Sequence, residues 1–297
     1  MIELIVFTIL ILLGYLTRII LVKYFSLSNF YEILLRKLVF AIYNILAPLS
    51  LFIVFSSRGL LQIDLIILIN FLLFMFITYY LTTLVCSNDI KNVVFIQSTF
   101  PNSVFLGFPI SLLLFGNIRI AALIGALTVA LNFIVPDLIV LKKLSTKSFL
   151  QLTPLYGFTT GLIFHYILSN EITSIFRTYL WWTTPLLSYI AVYTMGMRIP
   201  LRIESSFIEY IRIILFTGFA RYVLAPLLSF LTSLLAGFDS EDSLQLIVVS
   251  MMPPAVLNIV VAQKYNWDSQ LVALTVSLLT IIFLTIVLPI LYIILKQ

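Results

Sequence analysis

Cysteine and histidine each occur once in this chain of 297 residues, as Cys86 and His165. One cysteine cannot close an internal disulfide, and no cysteine–histidine set is present for a structural zinc. A single histidine also closes the mechanisms that need several, such as the HExxH metalloproteases and multi-histidine metal centres. No phosphate-cradling glycine loop ending in Gly-Lys-Ser/Thr occurs, so the chain has no nucleotide motor of its own. Nothing in the composition calls for a cofactor. Charge is scarce as well: 17 Lys and Arg with 12 Asp and Glu make up 10% of the residues, against about 25% in a soluble domain. That is too little to cover a water-facing surface.

Apolar residues make up 62% of the chain, and the mean hydropathy is +1.17. The chain reads as an all-α integral membrane protein embedded in the lipid bilayer. Apolar runs separated by charge or Gly/Asn/Ser punctuation give ten transmembrane helices. They cover roughly 2–22, 34–55, 63–86, 91–116, 118–141, 149–169, 174–196, 207–236, 243–265 and 269–295. No soluble domain fits in what remains. The first run carries Glu3 where a signal peptide would be basic and has no small-residue cleavage site, so it reads as a retained span.

The basic residues set the orientation. Odd-numbered loops hold Arg18, Lys23, Arg36, Lys37, Lys91, Lys142, Lys143, Lys147, Arg198, Arg202, Arg212 and Lys264; even-numbered loops hold only Arg58, Arg119 and Arg177. This asymmetry puts the odd loops in the cytoplasm and both termini outside a cell membrane. It also accounts for the net charge of +5 without nucleic acid as a partner. The eighth loop, Asp239 to Asp242, is acidic and falls outside.

Two spans carry proline at their centres, Pro101 in the fourth and Pro253-Pro254 in the ninth. Proline inside a helix removes a hydrogen bond and clashes with the preceding turn. Unwound backbone survives at membrane depth only where protein buries it or a polar cavity receives it. The spacing also points to a duplication. Pro101 and Pro254 are 153 residues apart, as are Pro136 and Pro289, while Pro48 and Pro185 are 137 apart. Five spans per half is odd, so the second half enters the membrane inverted, as in secondary transporters. The expected organisation is a single transporter unit, with repeat 1 over about 1–145 and repeat 2 over about 146–297.

If the fourth and ninth spans break at these prolines, their second halves begin near the midplane with unpaired N–H groups and the positive end of a helix dipole. Such ends form an anion site without a charged side chain. Asn102 and Ser103 follow Pro101, and Asn258 follows Pro254 by one helical turn. Each of these side chains either contacts an anion or satisfies the backbone groups freed by the break. Arg221 in the eighth span and Asp137 in the fifth are ionisable groups inside spans, where function is the first hypothesis. Arg221 either binds the C-terminal carbonyls of a broken half-helix or lends positive potential to an anion. Its pairing with Asp137 is compatible with the distance along the helices but not required by it. His165 and the Trp181-Trp182 pair read as interfacial residues. Asn44, Asn70 and Asn132 read as interhelical hydrogen-bond partners.

At the two breaks the sequence resembles the auxin efflux carrier family, which includes the plant PIN-formed carriers and lies in the bile-acid/arsenite/riboflavin transporter superfamily. Phe100-Pro101-Asn102-Ser103 through Gly107-Phe108-Pro109 resembles its fourth-helix pattern. Met252-Pro253-Pro254 through Ala262-Gln263-Lys264-Tyr265-Asn266 resembles its ninth. Pro48, Pro185, Gly196, Arg221 and Pro226 are supporting matches. The resemblance implies broken, crossing helices 4 and 9 and a scaffold of helices 1, 2, 6 and 7 that often forms a homodimer. Helices 3–5 and 8–10 would form a transport domain moving as an elevator with a small organic anion, such as an auxin-like acid or dicarboxylate. It implies Asn102 near the substrate carboxylate, with Pro101, Pro253 and Pro254 at the crossing and Ser50 and Tyr189 lining the pocket. The long cytoplasmic loop of many plant carriers is replaced by a short link around Lys142–Ser148. The acid–lysine pair of their third helix has no counterpart after Asn70. The acidic residue that bile-acid symporters use for sodium in helix 9 is missing, so proton coupling would rest on Asp137 or His165. An anion channel on the same fold is the alternative. An intramembrane enzyme is disfavoured, since no DDxxD, HExxH or serine–histidine arrangement occurs.

Overall fold

A computed structural model describes residues 2–142, 152–199 and 207–295. Lys143, Lys147, Arg202 and Lys296, and with them most of the Lys142–Ser148 link, lie outside the described residues. Regular structure among the described residues is helical, with one isolated bridge between extended residues. Six helices are long and apolar enough to cross a membrane: Ile5–Tyr24, Ser28–Arg58, Gln62–Val85, Arg119–Leu141, Tyr210–Ala236 and Ser269–Leu295. These coincide with six of the ten expected spans. The other four expected spans appear as shorter helices, and three of them are divided.

Several long helices are not uniformly α. Short π-helical turns cover Ile42–Leu46, Ser103–Gly107, Ala220–Leu224 and Phe283–Val287. A proline stands two residues after each of these four, at Pro48, Pro109, Pro226 and Pro289, whereas two further π-helical turns, Ile19–Tyr24 and Asp137–Leu141, have none there. The physical reason lies in the ring, which cannot donate a hydrogen bond and crowds the carbonyl four residues back. Widening the preceding turn by one residue relieves that crowding without ending the helix. At these prolines the helices continue, whereas those at the two breaks interrupt theirs.

By the density of internal contacts the chain divides into two compact units. The first comprises Met1–Leu60, Val104–Ile118 and Thr153–Arg202. Its helices are α1 (Ile2–Arg18), α2 (Ser28–Ala41), α3 (Ala47–Arg58), α6 (Phe108–Phe115), α8 (Thr153–Ile167), α9 (Asn170–Leu180) and α10 (Thr183–Arg198). The second comprises Leu61–Ser103, Arg119–Leu152 and Ile203–Gln297. It holds α4 (Gln62–Val85), α5 (Asn88–Thr99), α7 (Arg119–Pro136), α11 (Phe207–Phe219), α12 (Ala225–Ala236), α13 (Ser240–Ser250), α14 (Leu257–Lys264), α15 (Ser269–Ile282) and α16 (Leu288–Leu295). Val104–Ile118, expected with helices 3–5, groups with the first unit.

Two helix pairs hold the first unit together, α1 with α10 and α3 with α8. Both rest on glycine. A Cβ on Gly196 would lie 2.1 Å from the Ile11 carbonyl oxygen, and one on Gly157 would lie 2.0 Å from that of Pro48. Without a hydrophobic force between helices in lipid, close backbone approach through small residues supplies the attraction. Polar ties finish the α1 pair: Thr17 and Tyr193 share a hydrogen bond of 2.8 Å, and Arg18 donates to the Ile199 carbonyl at 2.8 Å.

The sequence places a seventh span over 174–196, but the structure ends one helix at Leu180 and starts the next at Thr183. The apolar run had concealed α9, whose polar residues recur with helical spacing rather than marking a loop.

Candidate functional site

The fourth and ninth expected spans are both broken, and the breaks meet within the second unit. After α5 ends at Thr99, Phe100, Pro101 and Asn102 are non-helical; after α13 ends at Ser250, helix resumes only at Leu257. Pro101 and Pro254 face each other in an antiparallel bridge. These are two prolines that the 153-residue spacing equates. The Asn102 N–H donates to the Pro253 carbonyl and the Ala255 N–H to the Phe100 carbonyl, each at 2.8 Å. Pro101 and Pro254 thus occupy the non-hydrogen-bonded pair of a two-bond ladder, where a residue needs no N–H.

Arg221 secures the other side of the crossing. It sits in the π-helical turn between α11 and α12 and is 1% exposed. Its Nε donates to the Met252 carbonyl at 2.8 Å, its Nη1 to the Thr99 carbonyl at 3.2 Å, and its Nη2 to the Ser250 carbonyl. One planar guanidinium therefore satisfies carbonyls at the C-terminal ends of both α5 and α13, where a helix leaves acceptors unpaired and carries its negative dipole end. Of the two roles open to Arg221 in the sequence, this geometry gives it the first. The guanidinium also lies 5.6 Å from the centre of the Phe74 ring.

Asp137 is paired elsewhere. Its fully buried carboxylate accepts from Lys264 Nζ at 2.7 Å and from the Tyr265 hydroxyl. Lys264 ends the second half of the broken ninth span and Tyr265 follows it, so this cluster ties α14 to the end of the Arg119–Leu141 helix. In the sequence Lys264 stands as a loop charge and as part of the ninth-span motif. Its distance in sequence from Asp137 gave no sign of pairing.

Asn258 is wholly buried at the start of α14. Its Nδ2 donates to the Ile96 carbonyl and to Gln97 Oε1, both at 3.1 Å, while its Oδ1 accepts from Asn132 Nδ2 at 2.7 Å. Gln97 continues the chain to the Val272 carbonyl at 3.0 Å. All three bonds are to protein partners, and the Ile96 carbonyl also accepts from the Phe100 N–H, so it is not a group freed by the break. Asn102 is 2% exposed; the Ser103 hydroxyl is buried with no partner among the described residues. Ser50 and Tyr189 belong to the first unit, Ser50 buried and Tyr189 45% exposed with its ring edge-on to Phe7.

The other flagged asparagines are bonded between helices as expected. Asn70 donates to Ser229 and accepts from Thr232, and Asn44 accepts from Thr153. His165 lies 3.1 Å from the Ser56 carbonyl through Nδ1. At the loop ends, Arg119 pairs with Glu241 and Asp242, joining the fourth loop to the acidic eighth.

A cavity of about 20 Å³ lies against the crossing within the second unit, lined by Asn70, Phe74, Thr99, Pro101, Arg221 and Ser229 among others. That is room for about one water molecule, far short of an organic acid. Among the described residues, no three of His, Cys, Asp and Glu come together to hold a metal ion.

Residues 190–292, which include Arg221, both prolines of the ninth break and the Asp137 partners, match a family described as membrane transport protein. This stretch, about a third of the chain, is similar to that family of membrane transporters. The match agrees with the resemblance at the ninth-span motif, and the six long apolar helices agree with a protein that crosses the membrane several times. The family is one of transporters rather than enzymes. None of the curated proteins compared with the chain matches it.

Proposed function

We propose that this transporter is a secondary carrier for small organic anions, with ten spans in two inverted repeats and an elevator-type cycle in a cell membrane. The observation that carries the reading is the crossing itself: two broken helices tied by paired backbone bonds, with a second half-helix beginning beside each tie. Backbone N–H groups at such starts favour an anionic group over a neutral or cationic one. Asn102 and the unpartnered Ser103 hydroxyl are the side chains best placed to add donors, with Pro101, Pro253 and Pro254 shaping the backbone around them. Arg221 acts on the carrier's architecture rather than on the cargo.

The repeat reading has support beyond proline spacing. In an inverted duplication, helices 1 and 6 are equivalent, as are helices 2 and 7. The pair α1 with α10 then maps onto the pair α8 with α3, and both are glycine-packed. The division into two compact units supports a scaffold and a moving part. Any proton coupling rests on Asp137 or His165, the two candidates that the sequence offers. The chain would work as a homodimer with both termini outside.

The test is transient current on proteoliposomes over a panel of mono- and dicarboxylates, with proton and sodium gradients varied separately. Saturable current for one class names the cargo. Asn102→Ala should weaken its apparent affinity at least tenfold while leaving thermal stability unchanged. Unaltered affinity removes Asn102 from the site. Silence with every carboxylate, backed by absence of labelled-acid counterflow, removes the organic-anion reading.

A further inference from the structure

Helix α9, Asn170–Leu180, is the most strongly amphipathic of the described helices, and its side chains divide into three faces. At about 100° per residue, Ile172, Ile175 and Tyr179 share one face, and all are exposed. The adjacent face carries Thr173, Phe176 and Leu180, the more buried side chains of the helix. The remaining arc carries Glu171, Ser174, Arg177 and Thr178, all exposed. One face therefore meets protein, one is polar, and one presents large apolar groups that none of the described residues covers. Trp181 and Trp182 follow at once, 67% and 42% exposed.

The depth of this helix can be read from its packing. Phe176 stacks edge-on with Phe52 and Phe164, ring centres 5.6 and 5.7 Å apart, and Phe52 with Phe164 at 5.2 Å. All three belong to the first unit. Phe52 lies in the spanning helix Ser28–Arg58, six residues before its charged end. At about 1.5 Å per residue, that is about 9 Å inside the level of Arg58. The boundary between headgroups and acyl chains, where amphipathic helices settle, lies about 5–10 Å deep. Tryptophan and tyrosine favour that same level, with apolar rings in the chains and N–H or O–H groups among the headgroups.

We infer that residues 170–182 form a lipid-docking element of the first unit, held in the bilayer interface. Ile172, Ile175, Tyr179 and Trp182 enter the acyl boundary, and Glu171, Ser174 and Thr178 face water. The partner is the phospholipid surface itself. Glu171 and Arg177 leave the helix without net charge, so its affinity comes from apolar and aromatic contact rather than from anionic headgroups. The inference does not depend on what the protein carries.

Because Cys86 is the lone cysteine, spin labels can be placed singly in the full chain. In a Cys86→Ser background reconstituted in phosphatidylcholine, a label at Ile175→Cys should collide more with oxygen than with a water-soluble nickel complex. A label at Thr178→Cys should show the reverse. Equal aqueous preference at both positions would place the helix in water and overturn the inference; equal lipid preference would immerse it and overturn it too. A second measurement needs no new cysteine. In Trp267→Phe, the emission of Trp181 and Trp182 should be quenched most by phospholipid brominated near the carbonyl end of its chains. Quenching by aqueous iodide alone would refute the docking. Replacing part of the phosphatidylcholine with phosphatidylglycerol should change neither result, and a marked shift would overturn the uncharged-lipid assignment.

Discussion

The two units solve the same problem with opposite chemistry. In the first, continuous helices meet where glycine lets backbone touch backbone, and Gly157 and Gly196 stand within about 2 Å of where a side chain would strike a carbonyl. In the second, helices stop in mid-course and their exposed backbone is satisfied by buried polar side chains, with Arg221, Gln97, Asn132 and Asn258 all at 1% exposure or less. Contact of the first kind weakens gradually as helices separate. Hydrogen bonds of the second kind are directional and leave desolvated groups behind when lost. The first unit is built for a fixed surface and the second for a fixed junction.

The contrast should be sharpest in Arg221→Met, which leaves the Thr99, Ser250 and Met252 carbonyls without the guanidinium. Loss of a buried charged partner costs about 3–5 kcal/mol, enough to remove the monodisperse peak in size-exclusion chromatography. Arg221→Lys keeps the charge but not the planar fork, so it should recover only part of the stability. Full recovery would mean that charge, rather than three-way bonding, holds the crossing. Next in size is Gly157→Leu. Its Cβ meets backbone that cannot rotate away, and overpacking costs about 1–3 kcal/mol or more. The thermal transition in detergent should fall, and an unchanged midpoint would mean that α8 can shift along α3.

Asn258→Ala should cost about 1–2 kcal/mol, since interhelical hydrogen bonds in membrane proteins are individually modest. Hydrogen exchange should rise around Ile96 and Gln97 and not in the first unit; a rise in both would erase the distinction drawn between them. Thr17→Val removes one hydrogen bond from a pair already held by glycine. A shift below about 1 kcal/mol is expected there. A larger one would show that the first unit also depends on its polar ties.

Proline made the crossing legible in the sequence, because nothing else in a membrane helix so directly removes a hydrogen bond at a known place. Arg221 was legible for a related reason: an isolated charge within a span needs partners, and broken helix ends supply acceptors. The Asp137–Lys264–Tyr265 cluster was not, because Lys264 and Tyr265 lie at a span end, where a polar group can reach water unaided, and stand 127 and 128 residues from Asp137. The glycine contacts were hidden too. Gly14, Gly157 and Gly196 are ordinary members of apolar runs, and only their neighbours reveal why a side chain is excluded. Helix α9 was absorbed into an apolar window because averaging hydropathy discards the angular order that distinguishes a surface helix from a spanning one.

The two-bond bridge at Pro101 and Pro254 also bears on how the protein is made. Its halves lie roughly 150 residues apart, and synthesis adds about 5–20 residues per second. For about ten to thirty seconds, the end of α5 must therefore stay in or near the membrane with neither Ala255 nor Pro253 to pair with. The Thr99 and Phe100 carbonyls need a temporary partner throughout that wait, supplied by water or by the insertion machinery. Assembly of the crossing is thus paced by the ribosome, and slowing translation between Asn102 and Ala255 would prolong the time for which those acceptors stand unpaired.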